Sequence, residues 1–389
     1  MRKTLSLLLS GITLSAAAFG IYGCSNDDTS NGNVPDGYVK AGEYLFAEDV
    51  EKDGSFYNYC PSILQVDENT RYVYYCANET KNVVVDTIAM RKGVKIDNEW
   101  YYGPKSYPVK PTLYTWDHEH DCDPAVVMGE FAYNGETYNY LMAFLGCARQ
   151  DCQVNEVGLA VAKAPEGPWV KCDDVNPFIH YEYDAARPAA FQWGYGQPSL
   201  VNIDKKGKVL LSYTCGPGGD DYVELGRWDL SNLNAPVNEF KSRVPVKGMT
   251  QFNSTQAAPC ITNADFAYDF NKKRLYMICD AHPLDTANQP DFITQALYVG
   301  YLQDFTGEEN VPGDILKNYD GRPWKTVGFV TPDMTGYKRN HNGCIIRDGY
   351  GGTLYENRLP IGYSVCYDIN LGTRPQLFSY RLRECSFDL

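Results

Sequence analysis

The sequence has almost no amphipathic helical pattern. Its apolar residues recur in short runs bounded by Gly, Pro, Asn and Asp, which is typical of β-strands and turns. It also has no glycine-rich phosphate turn ahead of a helix, no nucleophile elbow and no HExxH pair. We therefore expect this chain of 389 residues to be all-β and to use no nucleotide cofactor.

Positive charge is also scarce. The chain has 35 Lys and Arg against 49 Asp and Glu, a formal net charge of -14. An acidic surface repels nucleic acid and anionic lipid headgroups, so we predict no nucleic-acid partner and no direct binding to membrane lipids. Uncharged ligands such as sugars are compatible with this charge.

Long apolar runs are missing except at the N-terminus. There, residues 4–22 follow a short basic start and predict a secretory signal peptide over residues 1–23. Cys24 resembles the lipid-attachment cysteine of bacterial lipoproteins, and residues 24–43 are polar enough for a flexible tether. We predict an exported protein, periplasmic or at the cell surface, whose membrane contact is a lipid on Cys24. An ordinary signal peptide with an incidental cysteine is the alternative.

Cysteine, by contrast, is abundant. The chain has 13 cysteines, and an even number remains when Cys24 is set aside, which allows disulfides in an exported protein. Several cysteines end strand-like runs, where buried free thiols acting as small apolar residues explain them equally well. Neither a CxxC pair nor a zinc-finger spacing is present.

One sequence frame recurs along the chain: a proline, a small residue and an apolar pair. It starts at Pro61, Pro124, Pro198 and Pro259, and a degenerate copy has Gly343 in the proline position. Each copy is followed by a polar turn and further strand-like runs. The residue before the proline varies between copies, being Cys60, Asp123, Gln197 or Ala258.

Five copies of a unit with three or four antiparallel strands indicate a five-bladed β-propeller over residues 44–389. A single four-stranded sheet cannot bury both of its faces, whereas sheets in a ring bury one another and leave a central channel. The innermost strand of each blade lines that channel. The variable residue before the proline is therefore predicted to face the channel mouth. A β-sandwich is the alternative fold.

Three segments resemble one superfamily of propeller enzymes. They are residues 155–171 (NEVGLAVAKAPEGPWVK), 123–144 (DPAVVMGEFAYNGETYNYLMAF) and 339–352 (RNHNGCIIRDGYGG). They are similar to segments of the five-bladed glycosidases in glycoside hydrolase families 43, 32 and 117, and the resemblance runs roughly from Tyr44 to the C-terminus. It implies cleavage of glycosidic bonds by carboxylates at the channel mouth, one serving as base or nucleophile and another as acid.

The chain departs from that superfamily at most of the aligned positions, since only Asp123 retains a carboxylate. Asp121 lies two residues earlier and would point to the same side of a strand, so the two carboxylates could pair and separate their pKa values. We predict Asp121 and Asp123 as the catalytic residues. Further charged residues near the predicted mouth are more consistent with solvated loop positions: Asp117, Glu119, Asp184, His282 and Glu356.

A second set of residues is predicted to bind substrate. The aromatic loop ahead of the third blade suits stacking on sugar rings. The family resemblance places His341 beneath the active site, where it orients water or a cation, often calcium. No cofactor is predicted, although a calcium ion in the channel with His341 as a ligand stays open. The predicted substrate-binding residues are Cys60, Arg187, Trp193, Gln197, Asp280, His341 and Asn342.

Another candidate metal site contains His118 and His120, two of only five histidines. They have strand spacing and could bind a metal ion together with Asp117 or Asp121. Alternating polar residues on a loop that leads into a strand explain them as well, and we favour that interpretation.

Three functions remain open. The first, which we predict, is a glycoside hydrolase-like enzyme acting on extracellular glycans. The second is a non-catalytic surface lipoprotein that binds oligosaccharides for uptake, which the missing carboxylates favour. The third is an adhesive propeller that binds protein. Two mouth carboxylates about 5–5.5 Å or about 6.5–9.5 Å apart would favour the enzyme.

Overall fold

The protein is a ring of five antiparallel sheets in the computed structural model, which confirms the predicted five-bladed β-propeller and excludes the β-sandwich. The predicted signal peptide and Cys24 lie outside the described residues. No helix in the described part of the chain has the length and apolar character needed to span a bilayer. The description covers residues 34–46, 56–78, 85–218, 221–285, 293–303, 314–317, 319–366 and 379–389.

The first two blades are built from consecutive stretches of the chain. The exception is β2 (Phe56–Tyr57), which lies between strands of blade 1 in sequence but belongs to blade 5. Blade 1 has six strands and blade 2 has four. The strands of blade 1 are β1 (Val39–Lys40), β3 (Tyr59–Gln65), β4 (Thr70–Asn78), β5 (Asp86–Ile96), β6 (Glu99–Tyr102) and β7 (Ser106–Val109). Those of blade 2 are β8 (His120–Tyr133), β9 (Glu136–Cys147), β10 (Glu156–Ala162) and β11 (Trp169–Lys171).

The other three blades have four strands each. Blade 3 has β12 (Gly194–Asn202), β13 (Lys208–Gly216), β14 (Tyr222–Asp229) and β15 (Val237–Arg243). Blade 4 has β16 (Asp265–Asp269), β17 (Arg274–Leu284), β18 (Thr294–Gln303) and β19 (Lys325–Val330). Blade 5 has β20 (Arg339–Ile345), β21 (Arg358–Cys366), β22 (Ser379–Asp388) and β2. The described helices are short: a 3-10 turn at Ala189–Phe191, α1 (Asp314–Lys317) and α2 (Pro332–Thr335).

The ring closes by pairing segments from opposite ends of the chain. Strand β2 pairs in parallel with β22, with Phe56 opposite Ser379. The innermost strands of blades 1 and 5 also meet, and the Gln65 N–H donates to the Arg347 carbonyl at 2.9 Å. Because blade 5 contains strands from both ends, the ring cannot open there without breaking a sheet.

The turns and the core follow from the same pattern. The hairpin between β8 and β9 turns through Asn134 and Gly135, with φ values of 49° and 81°, the left-handed values that a two-residue type I′ turn requires. Apolar side chains pack between adjacent blades: Phe266 and Met277 of blade 4, for example, share one buried cluster with Leu225 of blade 3. The polar hairpins and loops are left at the two rims, where sites are built.

One copy of the predicted frame is wrong. Pro259 was expected to begin the innermost strand of blade 4, but that strand is β16, and the equivalent position is Asn263 followed by Ala264. Ala258 is only 7% exposed and packs in the cluster between blades 3 and 4. This position requires a backbone with a left-handed φ, which Asn adopts readily. A proline at the next position is not required.

Candidate functional site

Five residues with left-handed backbone form a ring at the channel mouth, one at the start of each innermost strand. In four of the blades the strand pairing shifts register at this point, which marks a β-bulge that redirects the side chain. We call these residues the mouth ring. They are Cys60 (φ 48°), Asp123 (φ 48°), Gln197 (φ 51°), Asn263 (φ 54°) and Asn342 (φ 43°).

Side chains of neighbouring segments bind the backbone N–H groups of the mouth ring. The Gln197 N–H donates to the carboxylate of Asp123. The other four donate to the second strand of the preceding blade: Cys60 N to Ser364 Oγ (3.1 Å), Asp123 N to Cys76 Sγ (2.9 Å), Asn263 N to Thr214 Oγ1 (3.0 Å) and Asn342 N to Asp280 Oδ1 (3.1 Å). Each bulge is therefore fixed by the blade before it.

Asp123 is the only acidic residue of the mouth ring. It is 4% exposed, and its carboxylate accepts hydrogen bonds from the Cys60 thiol and the Gln197 N–H. Burial raises its pKa to about 6. The Cys60 hydrogen bond opposes that shift, the nearby Asp86 charge adds to it, and His341 and Gln197 lower it. A carboxyl group that titrates near neutral pH can hold or release a proton under working conditions.

A disulfide supports Asp123 from one side. It joins Cys76 of β4 to Cys122 of β8 and so ties blade 1 to blade 2. Asp123 Oδ1 lies 3.1 Å from Cys122 Sγ and 3.5 Å from Cys76 Sγ. The other ten described cysteines are free thiols, and six of them are buried, so both of the roles considered for cysteine occur in this chain.

Asp121 does not pair with Asp123 as predicted. Its carboxylate lies 2.7 Å from Lys171 Nζ, which also binds Asp117 at 2.5 Å. The bulge between Cys122 and Ala125 interrupts the strand alternation on which the prediction relied. Asp121 is fully buried in this ion-pair network, where burial raises its pKa, with Lys171 opposing that shift. The two aspartates thus have separate partners.

Asp280, His341 and Asn342 meet at one point between blades 4 and 5. The Asp280 carboxylate accepts from Asn263 Nδ2 at 2.5 Å, from His341 Nδ1 at 2.7 Å and from the Asn342 N–H at 3.1 Å. The His341 ring stacks on Tyr380, with ring centroids 6.3 Å apart. Because His341 also lowers the pKa of Asp123, this group and Asp123 belong to one electrostatic site.

The channel within the mouth ring is narrow. It holds a cavity of about 20 Å³, room for one water molecule. Gln197 Oε1 and Asn342 Oδ1 are buried beside it without a described hydrogen-bond partner. Calcium takes about six to eight oxygen ligands, more than these two amide oxygens supply by themselves. The buried Arg347, bound to Asp265 at 2.8 Å and to Ser199 at 3.3 Å, closes the channel beneath.

The aromatic loop ahead of blade 3 leads into β12 at the end of that strand where Gln197 of the mouth ring lies. Trp193 packs against the Cys76–Cys122 cluster. A Cβ at Gly196 or Gly216 would come within 2.9 Å of the indole, so these two glycines allow Trp193 to lie close against β12 and β13.

The same loop presents aromatic side chains to solvent. Buried Gln192 donates to the carbonyls of Asp184 and Arg187 and holds the loop in shape. Arg187 Nη2 reaches the Gly218 carbonyl at 3.3 Å. Tyr183 and Phe191 are 48% and 61% exposed, and exposed rings at a channel mouth suit stacking on sugars.

The two histidines proposed as a metal pair are separated. His118 binds the Thr115 carbonyl, whereas His120 lies between Asp86 and Cys152, with 3.1 Å to Asp86 Oδ2 and 3.4 Å to Cys152 Sγ. Asp86, Cys152 and Asn263 were not singled out in the sequence. Asn263 was discoverable from its place before a short strand, but Asp86 and Cys152 are brought to His120 only by the packing of blade 1 against blade 2.

The remaining candidates lie apart from Asp123. Asp184 and Glu356 are exposed, as expected of solvated loop charges. Glu119 lies 3.7 Å from His118 Nε2. His282 Nε2 lies 3.1 Å from Cys260 Sγ, and burial lowers the pKa of this histidine.

Comparisons with known proteins bear on the fold. No protein-family model and no curated protein sequence matches the chain. Solved structures do match. A family 117 glycoside hydrolase of the marine bacterium Zobellia galactanivorans has a TM-score of 0.52 at 12% identity, covering 90% of this chain and 89% of that one.

An α-L-arabinofuranosidase of Lactobacillus brevis has a TM-score of 0.50 at 10% identity, covering 88% of this chain and 93% of that one. The fold is that of the propeller glycoside hydrolases. At these identities the likeness concerns the fold alone.

Proposed function

We propose that this protein is a glycoside hydrolase-like enzyme that acts on glycans at the mouth ring, with Asp123 transferring the proton. The observation that carries the proposal is a buried carboxyl at the propeller mouth whose pKa is about 6. Burial keeps a large share of Asp123 protonated at mildly acidic pH, as a general acid for a leaving glycosidic oxygen requires.

His341 is the partner of Asp123 in this proposal. The other mouth-ring side chains are neutral, so the ring itself offers no second carboxylate. Asp280 binds His341 Nδ1 at 2.7 Å and thereby decides which ring nitrogen carries the proton and how the imidazole is oriented. In the proposed step a neutral, oriented imidazole takes a proton from the attacking water, while Asp123 delivers its proton to the leaving glycosidic oxygen.

The glycan is proposed to lie above the mouth ring, because a cavity of about 20 Å³ is too small for a sugar ring. The exposed aromatic rings of Tyr183 and Phe191 would then stack on the glycan, and Trp193 would lie beside the mouth ring. The net charge of -14 favours a neutral glycan over an anionic one. We further propose that the protein is exported and lipidated on Cys24, since its N-terminal pattern is that of bacterial lipoproteins.

A glycan array tests the function directly. The mature chain from Ser25 onward is incubated at pH 5 to 7, and retained ligand and released sugar are measured separately. Asp123→Asn should reduce sugar release by at least about 100-fold, since general acid–base catalysis contributes about 10²–10⁴-fold. Asp97→Asn, at an exposed position of the turn between β5 and β6, is the matched control and should leave release unchanged.

The other outcomes separate the alternatives. Release that survives Asp123→Asn would contradict the assignment of the proton donor. Retention of glycan without release by the wild-type protein would show a glycan-binding protein in place of an enzyme. If the wild-type protein neither retains nor releases any glycan on the array, a glycan function is contradicted.

A further inference from the structure

A cluster of Asp86, His120 and Cys152 lies beside the mouth ring and supplies neither the acid nor the base of the proposed reaction. Asp86 begins β5 in blade 1, His120 begins β8 in blade 2, and Cys152 lies in the connection between β9 and β10. Each offers one donor atom, and the three donor atoms lie within 4.8 Å of one another. Asp86 and His120 are buried, whereas Cys152 is partly exposed.

The separation of thiol and imidazole matches two ligands of one metal ion. Cys152 Sγ lies 3.4 Å from His120 Nε2. Zn–S bonds of about 2.3 Å and Zn–N bonds of about 2.0–2.1 Å, at a tetrahedral angle, place sulfur and nitrogen roughly 3.5 Å apart. An ion can therefore bind between the two atoms with little movement of either side chain.

Asp86 supports the imidazole from its other side. Two groups of Asp86 contact His120 Nδ1: the carboxylate Oδ2 lies 3.1 Å away, and the backbone N–H donates to it at 3.2 Å. Asp86 therefore holds the ring with Nε2 toward the thiol. A carboxylate behind a metal-binding histidine is the usual outer partner of such ligands. One thiolate and one carboxylate would also balance the charge of a divalent ion in this largely buried place.

The connection that carries Cys152 is itself held in position. Cys152 has a left-handed φ of 54°, and its carbonyl accepts from Asn155 Nδ2 at 3.0 Å. Its N–H donates to the Arg149 carbonyl at 3.1 Å. The thiol is therefore presented to His120 by a fixed turn.

We propose that His120 and Cys152 bind a thiophilic divalent metal ion, zinc being the best match, and that Asp86 orients the imidazole. Cys152 Sγ and His120 Nε2 are the ligands from this chain. The remaining coordination positions lie toward the opening beside Cys152 and take water. The metal-site proposal does not rest on the proposed glycan reaction, and its test does not measure that reaction.

Two other sulfur sites in the described part of the chain compare unfavourably. Cys76 and Cys122 lie close to Asp123, but their sulfurs are joined in a disulfide and offer no thiolate. Cys260 Sγ lies 3.1 Å from His282 Nε2, yet no third donor completes this pair within 4.8 Å among the described residues. Cys260 is therefore a matched control for Cys152.

Cobalt and zinc titrations of the mature chain test the proposal. We expect one ion per chain by calorimetry and, with Co²⁺, a thiolate-to-cobalt charge-transfer band. Cys152→Ser should remove that band, and both Cys152→Ser and His120→Gln should weaken binding by at least about 100-fold. Asp86→Asn should weaken it by about 10- to 100-fold, whereas Cys260→Ser should change it by less than about twofold.

Several results would overturn the proposal. They are a wild-type chain that binds no stoichiometric ion, a charge-transfer band that survives Cys152→Ser, and equal losses in Cys152→Ser and Cys260→Ser. Far-ultraviolet circular dichroism identifies variants that fail to fold. If His120→Gln is one of them, the partly exposed Cys152→Ser variant and its Cys260→Ser control decide the result.

Discussion

Asp123 and Asp280 are two buried aspartates of the same channel mouth with different surroundings. The Asp280 carboxylate accepts three hydrogen bonds from described donors, one of them the backbone N–H of Asn342. Asp123 faces a thiol, a disulfide and one backbone N–H, and burial raises its pKa to about 6. They differ in how many donors compensate each carboxylate for the loss of water.

This difference gives the two aspartates different roles: Asp280 has a structural role and Asp123 a chemical one. The donors of Asp280 come from blades 4 and 5, so the carboxylate joins two blades while it orients His341. Asp123 keeps a proton that it can exchange, because its donors are fewer and weaker. A protein can therefore place equally buried carboxylates at one mouth and use the hydrogen-bond count to assign their roles.

The largest expected effect is on stability, from Asp280→Ala. The substitution leaves the Asn342 N–H, the Asn263 amide and His341 without their buried acceptor. We expect the free energy of unfolding to fall by about 3–5 kcal/mol, measured by urea denaturation. Asp388→Ala, at an exposed position near the end of β22, should change it by less than about 0.5 kcal/mol. A loss below about 1 kcal/mol for Asp280→Ala would contradict the structural role of Asp280.

At Asp123 we expect the contribution to stability to depend on pH. Its pKa rises from 3.8 unfolded to about 6 folded, so the protonated form is favoured by folding. The corresponding stabilisation is complete below pH 3.8 and is lost as the pH rises through about 6, in total about 3 kcal/mol.

Comparison with a neutral isostere isolates this contribution. The free energy of unfolding of wild type minus that of Asp123→Asn should decrease from pH 4 to pH 7, because Asn cannot ionise. Urea denaturation at several pH values measures it. A difference that is constant with pH would mean that Asp123 does not titrate in this range.

The smallest expected effect comes from Cys60→Ala. The Cys60 thiol donates to Asp123 and lowers its pKa, so its removal should raise the pKa of Asp123 by up to about one unit, roughly 1 kcal/mol. The pH profile of sugar release would record this as a shift of its upper limb to higher pH. A shift to lower pH would show that Cys60 does not stabilise the carboxylate.

The fold was predictable because its pattern is local and repeated. Short strand-like runs with hairpin turns such as Asn134-Gly135 recur five times, and stacking such sheets in a ring buries their faces. The fourth copy was misplaced at Ala258 because proline was taken as the marker. The left-handed φ shared by Asn263 and the other ring residues is a backbone property that no single residue type reveals.

The site was predictable only in part. Asp123 was assigned to the mouth from its frame, and the structure places it there. The predicted pairing of Asp121 with Asp123 is not present, because a bulge breaks the strand alternation on which it relied and Asp121 binds Lys171 instead. Asp86 and Cys152 carry no local signal, since their meaning comes from the side chains that packing brings to them.

The sequence by itself determined the repeat, the strand-like runs, the acidic charge and the single carboxylate among the frame residues. These depend on neighbours along the chain, and periodicity and residue type suffice to specify them. Only the tertiary structure decided which donors surround Asp123 and Asp280, that Cys76 bonds to Cys122, and that three separate segments meet at His120. Such properties depend on distances of a few ångströms between residues far apart in sequence, and those distances exist only once the blades have packed together.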